Sequence, residues 1–316
     1  MCTARPSWMS ISQQKLGYKD RMYRVKVDLQ DILMIDSTHM TVTVEPAVTI
    51  EFLNMVLVRS GFTLPIVPEL DTLTIGGLIM GGGIESTSHK YGLFHKLCVE
   101  YEIVTTDGDS VATSEEKNTN LFKAVPMSYG TLGFLTSAKL RIVKYKPFIK
   151  LVYWPTNSWD QTTEVLERET RKTKGNDSVE GIAYSRDKAV IMTGTFVEAD
   201  KIESDKVNNM GLWYKPWFYQ YIKQFLTKGP ATEYVPNLAF YQRHNKPTFW
   251  LSHVWLPWAS SPLARLLTGW ILPMNQQLLQ LVKETFLGGD LRITLSFKTS
   301  SFPSNISRQL YSSTMR

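Results

Sequence analysis

The residues most able to support chemistry are five glycines within eight positions: Gly76, Gly77, Gly81, Gly82 and Gly83. Because glycine has no Cβ, a backbone of this kind adopts positive φ angles and approaches a ligand closely. Successive amide N–H groups can then converge on an anion such as a pyrophosphate. The alternative, a tight turn or a bulge in a sheet, needs only one or two glycines. We therefore predict an anion-binding segment here.

Two familiar phosphate-binding motifs do not fit this segment. A P-loop continues with Gly-Lys-Ser/Thr, whereas Ile84-Glu-Ser86 follows the last glycine here. A Rossmann fingerprint, G-x-G-x-x-G, opens a long amphipathic helix. The stretch Gly81–Ser86 lacks the third glycine, and the next residues, Thr87–Phe94, are polar and interrupted by Gly92. The pattern therefore indicates a glycine cradle of another kind.

Other residues could complete the same site. Gly130-Thr-Leu-Gly133 could bring a second stretch of backbone to the ligand, or could be a turn before a strand. Glu69 could accept a hydrogen bond from a ribose, steady the glycine segment, or be a solvated surface carboxylate. His89 and His95 follow the glycines closely and could meet the ligand or make ordinary polar contacts. His244, among aromatic residues, could orient a substrate group.

Composition excludes several other classes of protein. The chain has 316 residues, of which 43% are apolar and 20% are charged, as expected of a folded globular protein. Its net charge of +6 is scattered, which suits an anionic cofactor or a membrane surface better than nucleic acid. No H-E-x-x-H, Cys/His cluster or G-x-S-x-G motif is present, so we predict neither a metal site nor a serine nucleophile. We find no secretory signal and no run of ~20 apolar residues, which predicts a soluble or membrane-surface protein.

The second half of the sequence is rich in aromatic residues. They concentrate in Trp213–Tyr219, in Phe249–Trp258 and at Trp270. These rings could form a hydrophobic core. They could also line a pocket for a large apolar ligand, or lie at a membrane surface, where Trp and Tyr with flanking Lys are favoured.

Periodicity predicts a mixture of strands and short helices. Predicted strands are Tyr23–Leu29, Ile32–Ile35, Met40–Glu45, Leu64–Val67, Val99–Thr105, Ser110–Thr113 and Phe134–Tyr145. Predicted helices run from the Thr49 cap to about Arg59, over Asn118–Ala124 and near Gln161–Lys174, with a hairpin over Val179–Phe196. Pro147 marks a change of character, and we place a domain boundary near it.

A collinear set of motifs surrounds the glycine segment. They are Pro68-Glu-Leu-Asp71 leading into Thr74–Ser86, Ser88-His-Lys-Tyr-Gly-Leu-Phe94, Gly130-Thr-Leu-Gly-Phe134, Val179-Glu-Gly181, Tyr214-Lys-Pro-Trp-Phe218 and Glu233-Tyr-Val-Pro236. Together they resemble the Δ24-sterol reductase family, also called the diminuto/dwarf or seladin type. The resemblance extends from Met1 to about Thr285.

The resemblance implies an α+β fold. Its first part is an FAD-binding domain of the p-cresol methylhydroxylase type, made of two subdomains and truncated at its N-terminus, over residues 1–146. An incomplete α+β substrate domain follows over residues 147–286, and residues 287–316 are a divergent tail. The family's flavin-binding stretch maps onto this chain position by position, as Thr74, Ile75, Gly76, Gly77, Leu78, Ile79, Met80, Gly81, Gly82, Gly83, Ile84, Glu85 and Ser86.

The resemblance also implies an activity. It is reduction of the C24=C25 side-chain double bond of a desmosterol-like sterol, with non-covalently bound FAD and with NADPH as the electron source. It implies an endoplasmic reticulum membrane location, with no residue assigned a catalytic role. The alternatives are an inactive truncated product that binds a sterol or a partner, and another flavin oxidase of the same fold.

The chain departs from the family pattern at several positions. Ala4 and Ser7 replace glycines of a first pyrophosphate loop, Gln242 replaces a histidine, and Leu251 replaces a glutamate. We expect a chain truncated at both ends relative to the family.

Overall fold

A computed structural model describes residues 2–3, 20–171, 175–245 and 257–268. All of them belong to one compact unit, Met1–Gln276. The departures at Ala4, Ser7 and Leu251, the aromatic residue Trp270 and the divergent tail lie outside the described residues.

Thirteen strands lie within these ranges. They are β1 (Cys2–Thr3), β2 (Arg24–Val25), β3 (Ile32–Asp36), β4 (Thr41–Val44), β5 (Phe62–Thr63), β6 (Cys98–Val104), β7 (Ser110–Ser114), β8 (Phe134–Arg141), β9 (Val143–Lys144), β10 (Phe148–Thr156), β11 (Ser178–Ala183), β12 (Ala189–Val197) and β13 (Ala231–Pro236).

Nine α-helices and four short 3₁₀ turns connect the strands in the described ranges. The helices are α1 (Ile50–Arg59), α2 (Ile75–Gly81), α3 (Ser88–Tyr91), α4 (Thr119–Ala124), α5 (Trp159–Thr170), α6 (Phe218–Lys223), α7 (Phe225–Lys228), α8 (Asn237–Tyr241) and α9 (Pro262–Thr268). The 3₁₀ turns are Phe94–Leu97, Ala199–Lys201, Ser204–Lys206 and Pro257–Ser260. The described chain is α+β, as predicted.

The first sheet is antiparallel and has five strands in the order β3-β4-β8-β6-β7. Its buried face contributes Val42, Leu140 and Ile103 to a core that α1 and α2 also enter. Helix α1 begins as predicted: the Thr49 hydroxyl accepts a hydrogen bond from the Phe52 amide at 3.2 Å. Gly61 follows its end with a φ of +82°.

Three strand predictions differ from the structure. Leu64–Val67 is buried but is not a strand; Pro65 lacks an amide hydrogen, and the ladder stops at β5. Phe134–Tyr145 divides at Ile142, whose amide bonds to Met40 O at 2.9 Å. As a result β8 stays in the first sheet while β9 pairs with β5. Of the predicted strand Tyr23–Leu29, only β2 forms.

The second sheet is also antiparallel, in the order β11-β12-β10-β13. Both its faces are covered, since β12 is buried continuously from Ala189 to Gly194. Ile191 packs beneath α5, with Val165 and Val179. On the opposite face Tyr153 stacks on Phe225 of α7, with ring centroids 4.0 Å apart. The strands of this sheet all follow Pro147, and the domain boundary there stays a prediction.

None of the described helices is both long enough and apolar enough to cross a membrane.

Candidate functional site

The first half of the glycine segment is a helix rather than an open loop. Thr74 caps α2 and accepts a hydrogen bond from the Gly77 amide at 3.3 Å. Ile75, Leu78 and Ile79 are buried on one face, because positions i, i+3 and i+4 share a side of a helix. This apolar face anchors the segment to the core.

Gly76 packs closely against Pro46. Its amide donates to Pro46 O at 2.8 Å. A Cβ at this position would lie 2.7 Å from the Pro46 Cβ, closer than carbon atoms can approach without movement. The close approach of two backbones therefore explains this glycine.

The second half of the segment leaves amide groups available. Among the described residues, no hydrogen-bond acceptor lies within reach of the N–H groups of Gly82, Gly83 or Ile84. Gly82 has a φ of +84°, and a Cβ at Gly81 would meet no atom within 4 Å. These three successive amides on an open backbone are the part of the segment that an anionic group could reach.

A second backbone stretch lies against the end of α2. The Met127 amide donates to Ile79 O at 3.0 Å, and the Tyr129 amide donates to Met80 O at 3.1 Å. Met127 and Tyr129 both have positive φ, at 60° and 52°. These bonds hold the loop that starts at Gly130 close to the glycine segment. The interpretation in which this loop brings a second stretch of backbone to the ligand requires such a position.

The end of the glycine segment is bonded to strand β11 and the residues before it. Ser86 O accepts from the Val179 amide at 2.8 Å. His89 Nε2 lies 3.3 Å from Asn176 O, and Lys90 Nζ lies 2.7 Å from Asp177 Oδ1. These contacts join the segment to the second sheet.

A buried charged cluster forms at the same junction. The side chain of Arg243, just after α8, is only 1% exposed. Its guanidinium bonds Glu69 on one side and Glu180 on the other, the latter at 2.9 Å. Nη2 also lies 3.5 Å from Ser86 Oγ. Arg243 therefore connects Glu69 and Ser86, near the two ends of the glycine segment, to Glu180 of β11. Glu69 is not a solvated surface carboxylate.

His244 belongs to the same cluster. Its Nε2 lies 2.6 Å from Glu180 Oε1, and its side chain is 2% exposed. The Phe218 ring packs edge-on against it, with centroids 5.1 Å apart. Ligand atoms of Glu69, Glu180 and His244 lie within 4.8 Å of one another, a spacing that a metal ion could use. The guanidinium of Arg243 already supplies positive charge to both carboxylates.

The pKa values of two carboxyl groups at this junction, Glu85 and Glu180, are shifted in opposite directions. Burial and the nearby carboxylate of Glu69 raise the pKa of Glu85 to about 9. Burial alone would also raise the pKa of Glu180, but Arg243 and His244 outweigh that effect and hold this pKa at about 2. At neutral pH Glu180 is therefore ionised and Glu85 carries a proton.

An open cavity of about 380 Å³ lies beside the junction. Its walls include the apolar side chains of Ile84, Leu93 and Val179, with the polar groups of Glu85 and His89. His95 does not line it. The Nδ1 atom of His95 has no hydrogen-bond partner in the described part of the chain, and burial lowers the pKa of this ring.

The aromatic residues divide between core and surface. Phe218 and Phe225 are buried, whereas Trp213 and Tyr214 are 38% and 45% exposed. Trp258 is exposed as well, at 54%. Phe218 and Phe225 therefore belong to the hydrophobic core, whereas Trp213, Tyr214 and Trp258 are part of the exposed surface.

The chain is similar to known proteins over most of its length, including the residues of this site. The family model described as "FAD binding domain" matches residues 2–114. Delta(24)-sterol reductases of Mus musculus and Homo sapiens are each 42% identical to the chain over 284 residues. That of Arabidopsis thaliana is 38% identical over 292 residues. The chain belongs to the Δ24-sterol reductase family. Its α+β architecture is that of the p-cresol methylhydroxylase-type FAD-binding fold.

The matches cover most of the chain but only part of each relative. They span 90% of the chain and 54% of the mouse protein, and 89% of the chain and 52% of the Arabidopsis protein. This member of the reductase family therefore spans about half the length of the relatives it matches.

Sequence reasoning missed the central role of Arg243 and Glu180. Glu180 lies in the Val179-Glu-Gly181 motif that carries the reductase resemblance, but nothing in the local pattern of either residue shows that the two contact. The available signal was charge in apolar surroundings: Glu180 follows Val179 in a buried strand, and Arg243 follows an aromatic helix. Charged residues at such positions are almost never fully buried unless they are paired.

Proposed function

We propose that this chain is part of a flavin-dependent oxidoreductase that reduces the C24=C25 side-chain double bond of a desmosterol-like sterol. The observation that carries the proposal is the run of three available amides at Gly82–Ile84, beside a mainly apolar cavity. The Delta(24)-sterol reductases that match the chain support the choice of substrate.

The residues present fit the dinucleotide group. In this proposal Thr74–Ser86 is the flavin-binding segment: α2 and its buried face fix the backbone, and the amides of Gly82, Gly83 and Ile84 bind the pyrophosphate. The exposed Met127–Gly130 backbone lies next to the same stretch. Bound flavin supplies hydride chemistry, which no amino-acid side chain provides. NADPH is the proposed electron source, and the proposed location is an endoplasmic reticulum membrane surface.

The anion site is tested by a pair of variants that differ only in charge. Gly81 is exposed and a Cβ there would meet no atom within 4 Å, and glutamate and glutamine have nearly the same shape, so Gly81→Glu and Gly81→Gln should fold equally well. We expect the glutamate to repel a bound pyrophosphate and lower FAD affinity about tenfold relative to the glutamine, or ~1.4 kcal/mol. Fluorescence titration with FAD measures this, and thermal melting of both variants is the control. Equal affinities would argue against a pyrophosphate at this position.

The activity is tested by turnover. The purified chain is incubated with FAD, NADPH and desmosterol, and the reduced sterol is measured. Formation of the saturated side chain supports the proposal. Sterol binding without turnover identifies an inactive binding protein, and oxygen-dependent turnover of a sugar lactone or a phenol identifies another oxidase of the fold.

A further inference from the structure

Glu85 lies where the glycine segment meets the cavity. It follows directly on the three available amides, and its side chain forms part of the cavity wall beside Ile84 and Val179. A group at this position faces both the proposed cofactor segment and a mainly apolar space that suits a hydrocarbon chain.

The other titratable group in this wall is already bonded within the protein. His89 Nδ1 lies 3.2 Å from Ser86 O, and its Nε2 lies 3.3 Å from Asn176 O. Both ring nitrogens therefore contact backbone carbonyl oxygens and hold the segment in place. Of the described residues in the cavity wall, Glu85 is the only acid, and its carboxyl group also accepts a hydrogen bond from the Glu69 backbone.

The surrounding charges keep a proton on Glu85. Three carboxyl groups, those of Glu69, Glu85 and Glu180, share a buried region with Arg243 and His244. Arg243 bonds directly to Glu69 and Glu180, and His244 bonds to Glu180, so the compensating positive charge goes to those two groups. A third buried negative charge would be repelled, and the pKa of Glu85 is raised to about 9. A carboxylic acid with this environment is protonated at neutral pH yet still acidic enough to donate.

Resting on the proposed function, we propose that Glu85 is the proton donor for reduction of the alkene. Its O–H bond breaks and a C–H bond forms at one carbon of the double bond. Reduced flavin, held at Thr74–Ser86 in the proposed function, would supply the hydride for the other carbon, and its oxidation would balance the reduction of the alkene. Because the cavity is open, the carboxylate regains its proton from water.

The first measurement needs no cofactor. Infrared difference spectra between neutral and alkaline pH should show the carbonyl band of a protonated carboxylic acid in the 316-residue chain, titrating near pH 9. Glu85→Gln should abolish the band. Glu164→Gln, on the exposed side of α5, should leave it unchanged. A band that persists in Glu85→Gln, or no band at all in the unaltered chain, would overturn the assignment.

The second measurement separates the proton donor from the cofactor. The chain carrying reduced flavin is mixed with desmosterol without oxygen, and flavin reoxidation is followed by absorbance. We expect Glu85→Gln to slow this step by about 100-fold or more, the usual contribution of a general acid. Flavin affinity and flavin reduction by NADPH are measured in the same variants, so that weaker cofactor binding is not mistaken for slower proton transfer. Glu164→Gln is again the control.

The outcomes distinguish the two proposals. If the unaltered chain binds no flavin, or its flavin is not reoxidised by the sterol, the proposed function is wrong and the catalytic role with it, whatever the infrared result. If the unaltered chain reacts and Glu85→Gln reacts equally fast, the proposed function stands and Glu85 is not the donor.

Discussion

Arg243 is the residue on which the charge balance of the junction depends. Its side chain is nearly inaccessible, and its nitrogens bond Glu69, Glu180 and the carbonyl oxygen of Phe240, the last at 2.9 Å. The guanidinium also lies 4.1 Å from the Phe240 ring centroid. A planar fork with several donors can serve all of these partners at once, which the single ammonium of lysine cannot.

Removal of this charge should be costly. We expect Arg243→Met to lower the free energy of unfolding at neutral pH by about 3–5 kcal/mol, because two buried carboxylates lose their partner. Arg171→Met is the matched control, since Arg171 and its partner Glu167 are 77% and 60% exposed; its effect should stay within about 1 kcal/mol. Denaturant unfolding measures both, and similar losses in the two variants would contradict the assigned role of Arg243.

At the residue scale, the sequence could single out the glycine segment but not its surroundings. The five glycines carry their own signal, because few other structures need so many. Glu69 and Arg243 are 174 positions apart, and no local pattern connects them. Their pairing follows from how β11 and α8 pack against the glycine segment, which is a property of the tertiary structure.

At the scale of single elements, the glycines of α2 and the turn after it have different roles. Gly76 permits contact with Pro46, Gly82 provides a positive φ, and Gly81 leaves open space. Of these three, only Gly82 belongs to the run of available amides, and Gly81 precedes it as the last residue of α2. Sequence alone suggests one common purpose for all five glycines, and the structure separates the packing contact at Gly76 from the open backbone at Gly81 and Gly82.

Alanine substitution should distinguish these roles. Gly76→Ala places a methyl group 2.7 Å from the Pro46 Cβ and should destabilise the fold by about 1–3 kcal/mol through overpacking. Gly81→Ala meets no atom within 4 Å and should change stability by less than about 1 kcal/mol. Chemical denaturation of the two variants gives the comparison. A Gly76→Ala variant as stable as the original chain would show that α2 shifts away from Pro46 at little cost.

The elements that sequence predicted well have strong local signals. The Thr49 cap, the adjacent strands β6 and β7 and the helix over Thr119–Ala124 all depend on residues that are near one another in sequence. The errors occurred where distant partners decide. Leu64–Val67 has a strand-like composition but no partner strand, and the chain after β8 changes sheets at Ile142.

At the scale of the whole molecule, the cluster links folding to proton binding. Glu85 has a pKa of about 9 in the folded chain against an ordinary value of 4.5. Between these values the folded state holds a proton that the unfolded state has lost, so the free energy of unfolding falls as pH rises through this window. Glu180 acts in the opposite sense: its pKa of about 2 gives stability that is complete above 4.5 and is lost as pH falls towards 2.

The two halves of this pH dependence can be separated. Glu85→Gln should remove the loss of stability that occurs as pH rises from 4.5 to about 9 and leave the loss in acid, because a glutamine does not titrate. Glu164→Gln should retain the pH dependence of the original chain. Denaturant unfolding at a series of pH values measures the slopes. An unchanged alkaline slope in Glu85→Gln would assign the proton to another group.

The separation of Glu69 and Arg243 has a consequence for synthesis of the chain. A nascent polypeptide exposes the glycine segment and Glu69 long before residue 243 is made, since 174 positions lie between the two partners. Until Arg243 has left the ribosome, no guanidinium is present to compensate the burial of Glu69 and Glu180. Closure of the junction is therefore a late, long-range event in folding, of the kind that proceeds slowly. During translation, the proposed cofactor segment is therefore synthesised before Arg243, the residue that contacts Glu69 and Ser86 near its two ends.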